Sequence, residues 1–286
     1  MKYSIKNLKA DFGTEEQCLS YLLTSRHGKE CSCGGVYKPV KGRKQFQCSK
    51  CRFQIAPMAG TIFQKSPTPL TLWFHAIFVF SNAKSGISAK EMERQLGVTY
   101  KCAWRILTLI RKSLVQSTDK LQGDVETDQS YFGGRKNAGK NNEGLSQAVK
   151  AKSILMGAIQ RGGAVRMRVV ADATARAHGQ FVSENIDPQG TRLMTDKSNR
   201  YNSVAKGYDR YMVDHHVGEY VRGDVYINTL DSFLAHVKRS IKGTHKVISK
   251  KHLQSYVDGF VWHYNKRHSD KERFASLLGA VLHGAR

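Results

Sequence analysis

The sequence predicts an α/β protein in three parts: a small metal-held module, a helical segment, and a larger domain whose mixed sheet is flanked by helices. Three observations lead there. Four of the six cysteines fall between positions 31 and 51. The stretch from about 66 to 120 has helical periodicity with cap residues at its breaks. From about 121 onward, short alternating or apolar strands are interspersed with helices.

Composition narrows the function. The chain has 286 residues, enough for two or three modules and one sizeable core, and 40% of them are hydrophobic, as in a globular protein. The formal net charge is +23 and the pI about 9.9. A surplus of that size repels itself in a compact fold and points to a polyanionic partner. The charge is spread along the chain, which favours a long nucleic-acid-binding surface over a basic arm; a generally basic, ribosomal-type protein is the alternative. No run of about 18 apolar residues exists to span a membrane, since the longest apolar stretch, 72–80, is broken by His75. The N-terminus lacks the apolar core of a signal peptide, so the expected location is the cytoplasm, associated with the nucleoid. There, clustered cysteines mean a metal site more readily than disulfides. Cys18 and Cys102 stand alone in apolar, helix-like contexts and read as buried structural thiols.

Residues 1–65 are read as a zinc ribbon. Cys31-Ser32-Cys33-Gly34-Gly35 precedes a short basic segment, followed by Cys48-Ser49-Lys50-Cys51. Each cysteine pair sits on a tight turn in such a fold, and four thiolates match tetrahedral zinc. Glycine after the second cysteine lets backbone amides turn toward the sulfurs. The second pair has the usual two-residue spacing; the first has one intervening residue and needs a distorted knuckle. Unbound thiols are the alternative.

Residues 66–120 are read as a helix-turn-helix. Residues 73–81 form one apolar helix. Ser88, with Glu91 three residues on, opens a second in a capping-box pattern. Gly97, Val98 and Thr99 make the turn, and Thr99 caps a helix running from Tyr100 to about Leu114. Ala103, Ile106, Leu107 and Ile110 are expected to face the core, with Lys101, Arg105, Arg111 and Lys112 facing out toward DNA. A cationic helix after such a turn suits the major groove; a plain helical hairpin with solvated charges is the competing reading.

The remainder, 121–286, begins with a strand over 124–131, then apolar strands over 154–159 and 165–170. A helix over 175–186, a strand over 192–196, a helix over 199–208, a short strand over 211–213 and an amphipathic helix over 229–241 follow. Residues 135–142, rich in Lys, Asn and Gly, read as an exposed hairpin loop. This is the element order of a ribonuclease-H-like domain. It places Asp128 in the first strand, Asp196 at the end of the fourth, and Asp231 on the last of these helices. Phosphodiester transfer needs an activated water or 3′-hydroxyl and a stabilised leaving oxygen, which two hard cations held by carboxylates supply. Lys238, seven residues after Asp231, lies two turns along the same helix face, where it would grip a phosphate; a solvated lysine is the alternative. Glu219 is a fallback ligand. His215, His216, Tyr131 and Tyr201 are candidate neighbours of the site or packing residues. Trp262, His263 and Tyr264 fit core packing better than base stacking.

With these motifs in place, the chain resembles the bacterial insertion-sequence transposases that join a zinc ribbon to a DDE-type domain, relatives of the Merlin elements. The resemblance covers nearly the whole chain. It is carried by the cysteine pairs, by Ala59-Gly60-Thr61-Ile62-Phe63, and by Thr127-Asp128-Gln129-Ser130-Tyr131-Phe132-Gly133-Gly134. It continues through Thr195-Asp196-Lys197-Ser198-Asn199 with Tyr201, His216-Val217-Gly218-Glu219-Tyr220, and Asn228-Thr229-Leu230-Asp231-Ser232-Phe233 with Lys238. Ser249-Lys250-Lys251-His252-Leu253 and Tyr264-Asn265-Lys266-Arg267 complete it. The resemblance implies a catalytic set of Asp128, Asp196, Asp231 and Lys238, with Mg²⁺ or Mn²⁺ on the aspartates and Zn²⁺ on the cysteines. It also implies binding of double-stranded terminal repeats, end cleavage, strand transfer, and a homodimer or larger synaptic assembly. Three positions depart from the pattern: Gln129 and Gly259 stand where acids are common, and Asp231 where glutamate is usual. The rival functions are a nuclease without strand transfer, a transposase-derived DNA-binding protein, and a zinc-ribbon transcription factor.

Overall fold

In the computed structural model, residues 3–133, 152–202, 204, 207–268 and 272–283 are described. The hairpin loop expected over 135–142, and Gly134, lie outside them. The chain divides into two compact units, Met1–Val115 with Lys266–Arg286, and Gln116–Asn265.

The first unit opens with two helices that the ribbon reading of 1–65 does not contain, α1 (Ile5–Phe12) and α2 (Glu15–His27). Each begins with a reciprocal capping box, Ser4 with Asn7 and Thr14 with Gln17. The ribbon follows as a three-stranded antiparallel sheet of β1 (Tyr37–Pro39), β2 (Phe46–Cys48) and β3 (Gln54–Ile55) in that order. Helix α3 (Leu70–Asn82) starts after Pro69, which has no side chain able to cap it; the Glu15 carboxylate accepts from the Leu70 amide instead.

Helices α4 (Ala89–Leu96) and α5 (Tyr100–Lys112) are joined by the expected turn. Ser88 Oγ accepts from the Glu91 amide at 3.1 Å, and Gly97 closes α4 in the left-handed region at φ 65°. Thr99 caps α5, on which Ala103, Ile106, Leu107 and Ile110 are buried. Lys101, Arg105 and Lys112 are exposed as expected, but Arg111 is not. It follows Ile110 toward the interior, is 4% exposed, and donates to the Ile87 carbonyl at 3.3 Å. A lysine or arginine stem can lie along apolar surface, and here the guanidinium goes with it.

The C-terminal residues correct the expected 121–286 domain. Helix α9 (Arg273–His283; α6 to α8 belong to the second unit below) packs on α3 in the first unit. The Phe274 ring stacks on Tyr3 at 5.0 Å and meets Phe12 and Phe78 at 5.9 and 6.0 Å. Apolar patterning marks a helix face as buried but does not say against which partner.

The second unit is built on a five-stranded sheet. Its strands are β4 (Leu121–Phe132), β5 (Ser153–Gln160), β6 (Val165–Val170), β7 (Ile186–Asp196) and β8 (Asp209–Val213), in the order β6-β5-β4-β7-β8. β4 pairs antiparallel with β5 and parallel with β7, giving a mixed ribonuclease-H-like sheet. Helix α6 (Ala175–Asn185) covers one face, where Phe181 and Val182 join Val125, Met156 and Leu193. Helices α7 (Asn228–Ser240) and α8 (Lys250–Asn265) cover the other, where Leu230, Phe233, Leu234, Val257 and Phe260 join Phe132, Leu155 and Ile159. Tyr264 packs against this core and His263 is buried, as expected. The helix expected over 199–208 is, among the described residues, only a 3₁₀ turn, Asn199–Tyr201. A small hairpin, β9 (Val221–Arg222) and β10 (Val225–Tyr226), leads into α7. Among the described residues no helix is long and apolar enough to cross a membrane.

Burial of Arg111 has a direct consequence. Arg111→Ala leaves the Ile87 carbonyl without this donor and should cost about 1–3 kcal/mol of stability, read as a lower denaturant midpoint. Arg105→Ala, at an exposed position, should leave the midpoint unchanged. Equal midpoints for the two variants would return Arg111 to the surface.

Candidate active site

Strand β4 is covered on both faces, and its alternation sorts its side chains. Val125 and Thr127 point toward α6, Glu126 and Phe132 toward α7 and α8. Asp128, two residues from Glu126, takes the α7 side. The parallel register with β7 sets Asp124 against Arg192 and Glu126 against Met194. One further pleat along both strands brings Asp128 beside Asp196 on neighbouring strands, whose spacing is about 4.8 Å. Asp231 enters from the first turn of α7. A cleft of ≈ 490 Å³ is lined by Asp128, Asp231, Lys238 and Lys152 among others. Lys238 lies over the Phe132 ring, 5.6 Å from its centroid.

Burial raises all three carboxyls, and neighbouring acids act on two of them. Burial, then the charges of Asp196 and Asp231, push Asp128 up to about 7, against a backbone hydrogen bond from Gln129 and the charge of Lys238. Burial likewise raises Asp196, opposed first by His215 and then by Arg210. Asp231 is raised by burial as well, opposed by His215 and Lys238 and reinforced by Glu126 and Asp196. Asp196 Oδ1 is buried and has no hydrogen-bond partner among the described residues. Crowded carboxylates with an unmatched buried oxygen are a donor set that fits hard divalent cations.

The surroundings hold these acids in place. Arg210 donates to Thr195 Oγ1 at 2.9 Å, to the Asp196 and Ser198 carbonyls at 3.1 and 3.2 Å, and to Asn202 Oδ1 at 3.1 Å, fastening the end of β7. Beneath Asp128, Thr127 Oγ1 donates to the Gly157 carbonyl at 2.9 Å and is hydrogen-bonded to the buried Tyr201. Tyr201 and His178 meet edge to face at 4.9 Å, so Tyr201 is a packing residue under the site. His215 is near enough to act on both Asp196 and Asp231. Glu219 is engaged elsewhere: it pairs with Arg222 at 2.5 and 2.7 Å and accepts from the Asp214 amide at 3.2 Å. Sequence reasoning missed Arg210, Thr127 and the buried Glu126. The signal for Glu126 was its place two residues before Asp128 in an alternating strand.

In the first unit the four thiols converge, with all Sγ atoms within 4.8 Å of one another. Cys31 and Cys51 are 3.7 Å apart, Cys33 and Cys48 3.4 Å. Sulfurs at about 2.3 Å from a tetrahedral zinc stand about 3.8 Å apart, so the set fits that ion. The short first knuckle closes because Gly34 takes φ 74° and Gly35 passes close to the thiols, where an added Cβ would lie 2.5 Å from Cys48 Sγ. A backbone hydrogen bond from Cys33 and a side-chain bond with Tyr37 pull Cys31 down to about 6. Despite a backbone bond from Phe53, the thiols of Cys33 and Cys48 push Cys51 up to about 12. The cluster thus holds its protons unequally, loosely at Cys31 and tightly at Cys51.

A mixed sheet carrying carboxylates on two adjacent strands and a following helix defines this unit as a ribonuclease-H-like domain. Residues 120–265 match the ISXO2-like transposase domain, and the chain belongs to that family. A relative from Halobacterium salinarum, described as an uncharacterized protein in transposable element ISH50, is 24% identical over 252 residues, covering 84% of this chain and 85% of the relative. Among solved structures, the Mos1 strand transfer complex matches with a TM-score of 0.30 and 10% identity, over 74% of this chain and 79% of that one. A pre-cleavage Mos1 transpososome matches with a TM-score of 0.30 and 10% identity over 96% and 99%. Likeness at that level carries no argument; the strand order gives the fold and the family match gives the family.

The raised carboxyl of Asp128 makes a pH-dependent prediction for protein free of Mg²⁺ and Mn²⁺. Its folded value is about 7, against about 3.9 in an unfolded chain. Above about 7 the charge penalises the folded state in full. As pH falls from there toward about 4, the folded state keeps a proton that the unfolded chain has lost, and the penalty disappears. Asp128→Asn should therefore melt several degrees above wild type at pH 8 in zinc-loaded protein without Mg²⁺ or Mn²⁺, with the gap closing on acidification. A variant that melts with or below wild type at pH 8 would contradict this crowding.

Proposed function

We propose that the chain is a divalent-cation-dependent DNA transposase that binds the terminal repeats of its element, cleaves the ends and joins the 3′-hydroxyl to target DNA. The observation that carries this reading is the convergence of Asp128, Asp196 and Asp231 from β4, β7 and α7, with an unmatched buried oxygen on Asp196 and Lys238 beside them. Asp128, Asp196 and Asp231 would hold two Mg²⁺ or Mn²⁺ ions. Such a pair supplies the Lewis acidity that activates a water or 3′-hydroxyl and stabilises the leaving oxygen. Because attack comes from water or the DNA itself, no side-chain nucleophile is needed. Lys238 reaches into the cleft and holds a non-bridging phosphate oxygen, and Arg210 keeps the end of β7 from moving as the acids take up charge. Lys101, Arg105 and Lys112 on the exposed face of α5, with the ribbon, bind the repeat, and phosphate contacts account for most of that affinity. A homodimer or larger synaptic assembly would hold the two ends together for joining.

The decisive measurement is cleavage and joining on DNA carrying the repeats that flank this chain's own locus. Asp128→Asn and Asp196→Asn should lose both activities by at least a hundredfold while keeping DNA affinity. Asp231→Glu should keep substantial activity, and Asp231→Asn should lose most of it. Wild-type joining by Asp231→Ala would remove Asp231 from the site.

The ribbon makes a separate prediction. Purified protein should carry one zinc per chain at Cys31, Cys33, Cys48 and Cys51. Because metal affinity is also folding free energy for such a module, chelation should unfold it and weaken repeat binding more than it slows joining of DNA already bound. Zinc-free protein with four freely titrating thiols and unchanged repeat affinity would sink the assignment.

A further inference from the structure

We infer that Glu126 and Arg161 are positioning residues whose partly buried ion pair sets the helix carrying Asp231 against the strand carrying Asp128; this rests on the two-cation reading above. Glu126 is 0% exposed on the central strand. A carboxylate there carries a heavy desolvation penalty unless both oxygens are matched, and both are. Oε1 accepts from Arg161 Nε at 2.7 Å, and Oε2 accepts from the Leu230 amide at 2.8 Å.

The Leu230 contact gives the pair its leverage. Helix α7 begins at Asn228 after Ile227, and no side chain near its start caps it. Leu230 is the third residue of the helix, whose amide an N-cap oxygen ordinarily takes. Glu126 supplies that oxygen from the neighbouring strand, and its charge lies at the positive end of the helix dipole. The carboxylate two residues before Asp128 thus grips the backbone one residue before Asp231. Arg161 completes the clamp. Its other two nitrogens donate to the Asp224 and Tyr226 carbonyls at 2.8 and 2.7 Å, and its guanidinium lies over the Tyr226 ring at 3.5 Å. The segment entering α7 is therefore fixed to the end of β5. Asp231 has an arm about 1.5 Å shorter than a glutamate's, so less helix displacement can be absorbed by its side chain.

Stability and positioning are separated by replacing the pair with apolar side chains. Glu126→Leu with Arg161→Met removes both charges, an exchange that is often neutral or stabilising for a buried pair, but leaves the Leu230 amide unheld. Glu126→Asp keeps the charge against Arg161 and shortens the reach to Leu230, and it serves if the double variant does not fold. Mn²⁺ binding is followed by electron paramagnetic resonance on full-length, zinc-loaded protein with pre-cleaved end DNA bound, alongside joining rates and melting temperature. For folded variants melting within a few degrees of wild type, Mn²⁺ affinity should fall at least tenfold and joining further, approaching Asp231→Asn. Either folded variant with wild-type Mn²⁺ affinity and joining would overturn the inference and leave the pair a packing feature. If wild type and Asp231→Asn bind Mn²⁺ equally, it is the reading of Asp231 as a cation ligand that fails, whatever the clamp variants do.

Discussion

The parallel pairing of β4 with β7 is the constraint on which the candidate site depends. Two strands hydrogen-bonded side by side place Asp128 and Asp196 at a separation set by backbone geometry, independent of side-chain choice elsewhere. The pairing also requires a crossover, and that crossover brings α6 over one face of the sheet. The opposite face is left for α7, the element that delivers the third acid. A one-residue slip between β4 and β7 would turn one aspartate of the pair into the α6 core. The cluster Val125, Met156, Phe181 and Leu193 therefore protects the register of the acids, though none of these residues lies near a substrate.

The same geometry carries an electrostatic cost at neutral and alkaline pH. Burial raises the proton affinity of all three carboxyls, and neighbouring carboxylates add to it at Asp128 and Asp231. The thiols of the ribbon behave alike, with Cys31 pulled down and Cys51 pushed up within one cluster. Both sites are thus arranged around charge that the polypeptide does not itself neutralise. They differ in depth. The ribbon's sheet has strands of only two or three residues, so the proposed zinc would supply much of its cohesion. Asp128 and Asp196 sit on a five-stranded sheet between two apolar cores, and Asp231 on a helix packed against it.

Much of this was legible in the residues, and the failures have identifiable physical causes. Elements with strong local signals were readable: the capped helices α4 and α5, the apolar strands β5 and β6, and the acid-terminated strand β7. Asp128, Asp231 and Lys238 were readable as neighbours because strand order and helical spacing are short-range rules. What local rules cannot supply is the partner. Arg111 falls among exposed cations by composition, yet its helix turns it inward to the Ile87 carbonyl. Helix α9 is amphipathic wherever it packs, and its assignment to α3 depends on aromatic contacts with residues far away in sequence. Helices α1 and α2 carry weak apolar faces, and their capping boxes were overshadowed by the cysteine pattern that follows.

Glu126 is the most instructive omission, because burial and charge give opposite readings of it. By alternation it belongs to the core face of β4, and by chemistry to the surface, so sequence alone offers no reason to choose. The conflict is resolved by two partners, Arg161 at the end of the next strand and the Leu230 amide, 104 residues away. A leucine at this position would satisfy burial and leave the start of α7 without an acceptor. The carboxylate satisfies both only because Arg161 is also held, by two backbone carbonyls and the Tyr226 ring. Such a chain of directional contacts is satisfied in one arrangement and penalised in others. That selectivity suits a site whose proposed chemistry requires three carboxylates from separate elements to meet at a fixed distance.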